Sequence, residues 1–137
     1  MINEYYIDMD KTKLDTDMIH SFLTQSYWAK NISMETVSDS IDNSICFGVY
    51  TSEGEQCGFA RIITDSATFA YLADIFILDA HRGKGLSKEL MKTILSYDKL
   101  QNLRRMMLRT EDAHSLYKKF GFKSLDDADK FLKLSNI

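Results

Sequence analysis

The chain has 137 residues, of which 45% are apolar, 12% aromatic and 27% charged, and its formal net charge is −3. That length suits one domain with a core of its own, and the composition excludes a disordered chain. The slightly acidic balance excludes generic nucleic-acid binding, which needs a basic face, and no stretch approaches the roughly 20 apolar residues of a membrane span.

A single domain over residues 1–137 is therefore expected, without repeat or linker. The opening stretch Met1–Tyr5 lacks the basic and then apolar segments of a secretory leader, so a cytoplasmic location is expected, with no membrane or nucleic-acid partner. Cys46 and Cys57 fall on consecutive predicted strands, where a cross-strand disulfide is geometrically conceivable. Buried free thiols suit a reducing compartment better. Two cysteines without a nearby histidine make no zinc site, and no metal is expected.

In chain order, Glu4 to Asp8 reads as a first strand rich in β-formers. Asp15, Thr16 and Asp17 cap and charge a helix that carries Met18, Ile19, Phe22 and Leu23 on one side. A second helix spans about Met34 to Asp42, capped by Ser33. Between them lies an aromatic loop, Ser26 to Asn31. Packing under the helices is the simple reading of Tyr27 and Trp28; a wall of an acceptor pocket is the functional one.

Ile45–Thr51 and Gln56–Asp65 form a hairpin across Gly54. A strand from about Phe69 to Leu78 follows, apolar enough to be central and covered on both faces. Asp74 interrupts it. A carboxylate there is either structural, accepting hydrogen bonds from a neighbouring turn, or functional, acting through water as a base; His114 is a second candidate base.

The strand runs into Arg82-Gly83-Lys84-Gly85-Leu86-Ser87 and then an amphipathic helix to about Asp98. A helix start leaves N–H groups without partners, and none of these residues but Ser87 offers a capping oxygen, so an anion is the natural cap. Glycines admit a ligand close to the backbone, the helix dipole favours negative charge, and Arg82 and Lys84 stand beside it. The Walker spacing is absent, and so is the dinucleotide fingerprint, because position 88 is Lys. Arg104 to Thr110 reads as a further strand, parallel to the central one by the right-handed crossover rule. Two such strands can splay and leave backbone groups free for an extended ligand.

Thr110 or Glu111 begins a short helix with acids in its first turn, lysines in its last and Gly121 as its stop. Ala113, Leu116, Tyr117 and Phe120 share one face. One or two closing strands are expected in Lys123 to Ile137, the better at Phe131–Leu134.

Two of these stretches resemble one family. Arg82, Gly85 and Ser87 occupy the marked positions of motif A of the GNAT acetyltransferase superfamily, Arg/Gln-x-x-Gly-x-Gly/Ala, with Ser87 in place of the usual Gly or Ala. Leu116-Tyr117-x-x-x-Gly121-Phe122 looks like its motif B, with Asp112 where the family often has Asn. The resemblance covers about residues 45 to 134; the N-terminal helices match in layout only. It implies an α/β fold with a twisted mixed sheet flanked by helices and splayed central parallel strands.

It also implies acetyl-CoA as co-substrate and an amine of a small molecule or protein as acceptor, in a monomer or homodimer. The backbone of Ile75, Phe76 and Ile77 would pair with the pantetheine arm. Backbone N–H groups from Arg82, Gly83, Lys84, Gly85, Leu86 and Ser87 would hold the pyrophosphate. Tyr117 would protonate the departing thiolate, a sensible task for a phenol whose ordinary pKa is about 10. Its bland alternative is a core tyrosine. The acceptor pocket has no diagnostic motif; Trp28, Asp74 and Glu111 are candidate walls. Two other functions use the same residues differently: a CoA-binding sensor without turnover, and a protein-interaction module that needs no phosphate turn.

Overall fold

The structure, a computed structural model, describes residues 4–136. Met1, Ile2 and Asn3, which carry most of the leader reading, and Ile137 lie outside the described residues. Five strands follow one another across a mixed sheet: β1 (Tyr5–Asp8), β2 (Ile45–Thr51), β3 (Gln56–Thr64), β4 (Phe69–Ile77) and β5 (Arg105–Leu108). The first four pair antiparallel and only β4 with β5 is parallel, as a strand–helix–strand crossover requires.

Side-chain alternation along the strands builds two cores. On one face, Phe47, Val49, Ala60, Ile62, Ala70 and Leu72 meet Leu86, Leu90, Met91 and Ile94 of α3 (Leu86–Ser96). On the other, Cys46, Phe59 and Phe76 pack beneath α1 (Thr16–Gln25) and α2 (Met34–Asp42), which contribute Ile19, Leu23, Val37 and Ile41. Each fully buried side chain of this kind is worth about 1.5–3 kcal/mol relative to exposure. The caps at Asp15 and Ser33 form as their spacing suggests, accepting from the N–H groups of Met18 and Thr36.

The two cysteines belong to opposite cores, Cys46 under α1 and α2 and Cys57 toward α3, and both are free thiols. A cross-strand disulfide is therefore excluded. Burial drives both thiols up to about 11, which makes them poor nucleophiles at neutral pH.

Three expectations need correction. β5 is shorter than the predicted strand, ending at Leu108, because Arg109 and Thr110 have left the β4 pairing. The short helix α4 (His114–Lys118) starts later than its acids suggested: Thr110 Oγ1 accepts the Ala113 N–H in a local turn that uses up the capping group. After it, Gly121 at φ 97° closes the helix in a Schellman arrangement, with Phe122 N–H on Tyr117 C=O and Gly121 N–H on Lys118 C=O.

The third correction concerns the closing strands. Residues after Phe122 form no strand among the described residues, only a 3-10 turn at Ala128–Lys130. Asp127 is pinned to Arg105 at 3.5 Å, and this holds the segment beside β5 without ladder pairing.

Candidate active site

The site grows from a defect and a divergence in β4. Phe59 lies opposite Phe76 while Arg61 lies opposite Ala73, so β4 carries one extra residue, a β-bulge. Asp74 is in it, in the left-handed region at φ 53°, a conformation that Asp and Asn tolerate better than other side chains. On the other side, pairing with β5 stops at Leu72 and Leu108 while β4 continues to Ile77. The strands splay, as the crossover suggested they could.

Backbone direction then decides which groups face the gap. Leu78 N–H bonds to Cys57 C=O, so by alternation Phe76 turns its peptide groups to β3, and Ile75 and Ile77 turn theirs to the open side. The Phe76 ring is stacked on Phe22 with centroids 3.9 Å apart, deep in the core. Of the three residues read from sequence, Ile75 and Ile77 present backbone to the gap and Phe76 does not. The Ile77 carbonyl is already taken by Arg82 Nε at 3.0 Å.

The turn after β4 behaves as its composition suggests. Gly83 and Gly85 both adopt left-handed angles, φ 78° and 79°, and Gly85 is the N-cap of α3 with no side chain capping the helix. The first turn, Leu86 and Ser87 included, thus offers its N–H groups to an anion. Arg82 spends its guanidinium on the loop itself, on Ile77 C=O and on Asp79 at 2.8 Å. Lys84 stands over the Tyr5 ring at 5.8 Å, and Tyr5 hydroxyl bonds His81 Nδ1 at 2.9 Å, so β1 props the turn from below.

Between the splay and the N-terminal helices lies a cleft of about 750 Å³, a size typical of small-molecule sites. Its walls bring together Tyr71 to Ile75 of β4, Leu108 at the end of β5 with Arg109 and Thr110 after it, Tyr117, and the loop Tyr27 to Ser33. Tyr117 is buried on α4, and burial, with smaller contributions from Tyr27 and Asp112, raises its phenol above the ordinary tyrosine value. It stays protonated throughout the neutral range.

Tyr27 and Trp28 are 51% and 37% exposed, so plain packing under the helices does not describe them; they form the cleft wall. Trp28 Nε1 donates to Asp74 Oδ1 at 2.8 Å and Tyr27 hydroxyl accepts the Glu111 N–H at 3.3 Å, which fixes both rings. Asp112, rather than Glu111, lines the cleft.

Asp74 Oδ2 accepts from Arg61 Nε at 2.8 Å, and Arg61 reaches on to Ser44 Oγ at 3.2 Å. Both oxygens of Asp74 are therefore committed to donors. His114 lies in a separate groove behind Tyr117. Sequence reasoning passed over Arg61, although a signal was there: it shares a strand face with Phe59, where an arginine needs a buried partner.

No group of three or more metal-ligating side chains occurs among the described residues. Nor is any of their helices long and apolar enough to cross a membrane.

The parallel pair of a mixed sheet thus separates beside the cleft, and the opened strand leads along the chain into a glycine turn that leaves the start of α3 uncapped. A family model described as an acetyltransferase (GNAT) domain matches residues 42–124. A Gibberella zeae protein provisionally named an acetyltransferase is 32% identical over 149 aligned residues, 92% of this chain and 83% of that protein. The crystal structure of a provisionally named GNAT-family acetyltransferase from Xanthomonas campestris pv. campestris shares 42% identity and a TM-score of 0.93, covering 96% of this chain and 92% of that one. Glucosamine-6-phosphate N-acetyltransferase of Arabidopsis thaliana has the same fold, with a TM-score of 0.65 over 97% of each chain, at 14% identity. The chain belongs to the GNAT acetyltransferase family.

Proposed function

We propose that this enzyme transfers an acetyl group from acetyl-CoA directly to a primary amine of a small molecule or a protein. The observation that carries this reading is that the β4 edge opened by the splay lines the same cleft as the Tyr117 phenol and runs on along the chain into the uncapped start of α3. Acetyl-CoA supplies the activated acyl group as a thioester; its shape, an extended amide arm ending in a pyrophosphate, matches an unpaired strand edge that leads to an uncapped helix.

In this reading Ile75 and Ile77 bind the arm through backbone groups, and the N–H groups of Gly83 to Ser87 hold the pyrophosphate with Lys84 beside it. Arg82 orders the turn by tying it to the end of β4. The bulge at Asp74 breaks the β3 ladder at the cleft, which frees backbone donors to polarise the acyl carbonyl. Tyr117 keeps its proton at neutral pH and gives it to the sulfur as the bond to the acyl carbon breaks.

Asp74 is assigned a positioning role instead of that of the base: it holds Trp28 and Arg61 on the wall where the amine enters. The amine sheds its proton to solvent in the open cleft. Transfer is direct, because neither cysteine reaches the cleft and both are held as thiols.

Isothermal titration with acetyl-CoA, ATP and NAD separately tests the reading. Micromolar binding of acetyl-CoA alone, followed by thiol release with members of an amine library, is the expected result. A folded sample that gives neither heat nor thermal stabilisation with acetyl-CoA overturns it.

A further inference from the structure

The charged groups on the cleft walls differ in whether the protein already engages them. Of the two carboxylates there, Asp74 has both oxygens on donors, Trp28 Nε1 and Arg61 Nε, each at 2.8 Å. Asp112 is exposed and has no hydrogen bond or ion pair among the described residues. It lies near the phenol, since its charge is one of those that raise Tyr117.

The cations sort the same way. Arg61 is spent on Asp74 and on Ser44 Oγ. Arg109 lines the groove behind Tyr117 as well as the cleft. Lys30, on the loop Tyr27 to Ser33, lines the cleft and not that groove, and its ammonium has no partner among the described residues.

A group already satisfied by the protein gains little from a ligand, whereas a free one exchanges water for a charged partner in a partly enclosed site. The open carboxylate beside the phenol suits the ammonium of an acceptor, which arrives protonated at neutral pH because an alkyl amine such as that of lysine has a pKa of about 10.4. The open ammonium on the other wall suits an oxyanion. Tyr27 and Trp28, exposed on the same loop as Lys30, offer ring surface to the body of the molecule.

Size sets a further limit. The Tyr27 hydroxyl accepts the Glu111 N–H at 3.3 Å, which ties the loop to the wall that carries Asp112. The cleft of about 750 Å³ must also take the acyl end of the co-substrate. What is left suits a small molecule. A lysine side chain of a protein brings an ammonium but no oxyanion of its own.

We infer that the acceptor is a small molecule with an oxyanion, a carboxylate or a phosphate, besides its primary amine, Asp112 holding the ammonium beside Tyr117 and Lys30 holding the oxyanion. This assignment rests on the acetyl-transfer reading above. The held ammonium first releases one proton to solvent. Its nitrogen then bonds to the acyl carbon as the carbon–sulfur bond breaks, sulfur takes the Tyr117 proton, and the proton that nitrogen sheds on acylation restores the phenol.

Three matched pairs of amines test this: glycine against glycinamide, γ-aminobutyrate against n-butylamine, and phosphoethanolamine against ethanolamine. A lysine-containing peptide is a further probe. Thiol release measures turnover, the emission of Trp28, the one tryptophan of the chain, measures amine binding in the presence of CoA, and titration measures acetyl-CoA affinity on the same samples. In at least one pair the oxyanion member should be the better acceptor by about 10- to 100-fold in kcat/KM, as a hydrogen bond to a charged group allows. The pair that responds separates carboxylate from phosphate. Lys30→Met should bring that member down to its neutral counterpart, and Asp112→Asn should raise KM for both members about tenfold, each with acetyl-CoA affinity unchanged.

Acetyl-CoA binding without an oxyanion preference overturns the acceptor assignment alone. So does a preference that survives Lys30→Met, an unchanged KM in Asp112→Asn, or turnover of the peptide only. Absence of acetyl-CoA binding overturns the function reading and this assignment with it.

Discussion

Replacing Asp74 by Asn removes one charge and leaves shape and backbone nearly intact, because Asn adopts the left-handed conformation at φ 53° as readily as Asp. The pair it breaks is short, Nε to Oδ2 at 2.8 Å, and its side chains are only 8% and 16% exposed for Asp74 and Arg61. Removing one member of a buried pair costs about 3–5 kcal/mol, mostly for the charge left behind. The Asn carbonyl can still accept one hydrogen bond, from Trp28 or from Arg61, and Ser44 Oγ remains on the guanidinium. The expected loss is therefore smaller, about 2–3 kcal/mol, or roughly 10 °C in Tm for a chain of this size.

Urea unfolding at unchanged m-value measures it. The chain has one tryptophan, so a shift of Trp28 emission reports the loosening of the wall locally. A change below about 0.5 kcal/mol, the range of ordinary surface substitutions, refutes the claim that Asp74 organises this wall. Kinetics separate the two roles. A positioning residue raises KM for the amine, whereas loss of a base lowers kcat by about 10²–10⁴ without loss of stability.

Tyr117→Phe should lower kcat by about 10²–10⁴ while titration gives an unchanged affinity for acetyl-CoA; equal turnover removes the phenol from the mechanism. The wild-type rate should hold on the alkaline side past the ordinary tyrosine value of about 10, since burial raises this phenol. Gly48→Ala should cost about 1–3 kcal/mol by chemical denaturation. Its new methyl would meet the Tyr50 ring, with Cζ at 2.6 Å, and that ring is 1% exposed and stacked on Tyr6. Stability should also fall as pH rises above about 9. Unfolded thiols release their protons from there upward, while the folded chain keeps those of Cys46 and Cys57 to about 11 and that of Tyr50 to about 12. Urea midpoints measured between neutral pH and pH values near those of the buried groups check the sign; a rising midpoint refutes the burial argument.

Residue type and spacing alone determined the elements whose cause is local. The caps at Asp15 and Ser33, the apolar stripe of α3, the glycine turn before it and the stop at Gly121 all follow from dihedral preference and hydrogen bonding within a few residues. The central strand followed from an apolar run broken only at Asp74, since a strand covered on both faces has no alternation to hide. The same local chemistry carried the phosphate-turn reading and, through Tyr117 and its neighbours, the family.

Tertiary structure alone decided what depends on residues far apart in the chain. The bulge that sends Asp74 into the cleft exists only in the register between β3 and β4, and its partners Arg61 and Trp28 lie on separate elements. Tyr27 and Trp28 read as core from their composition, yet they became a wall because the loop crosses the mouth of the splay. The segment after Phe122 has strand composition, yet it forms no strand among the described residues, and only Asp127 on Arg105 holds it beside β5. Pairing energy of this kind is not carried by any one stretch of residues.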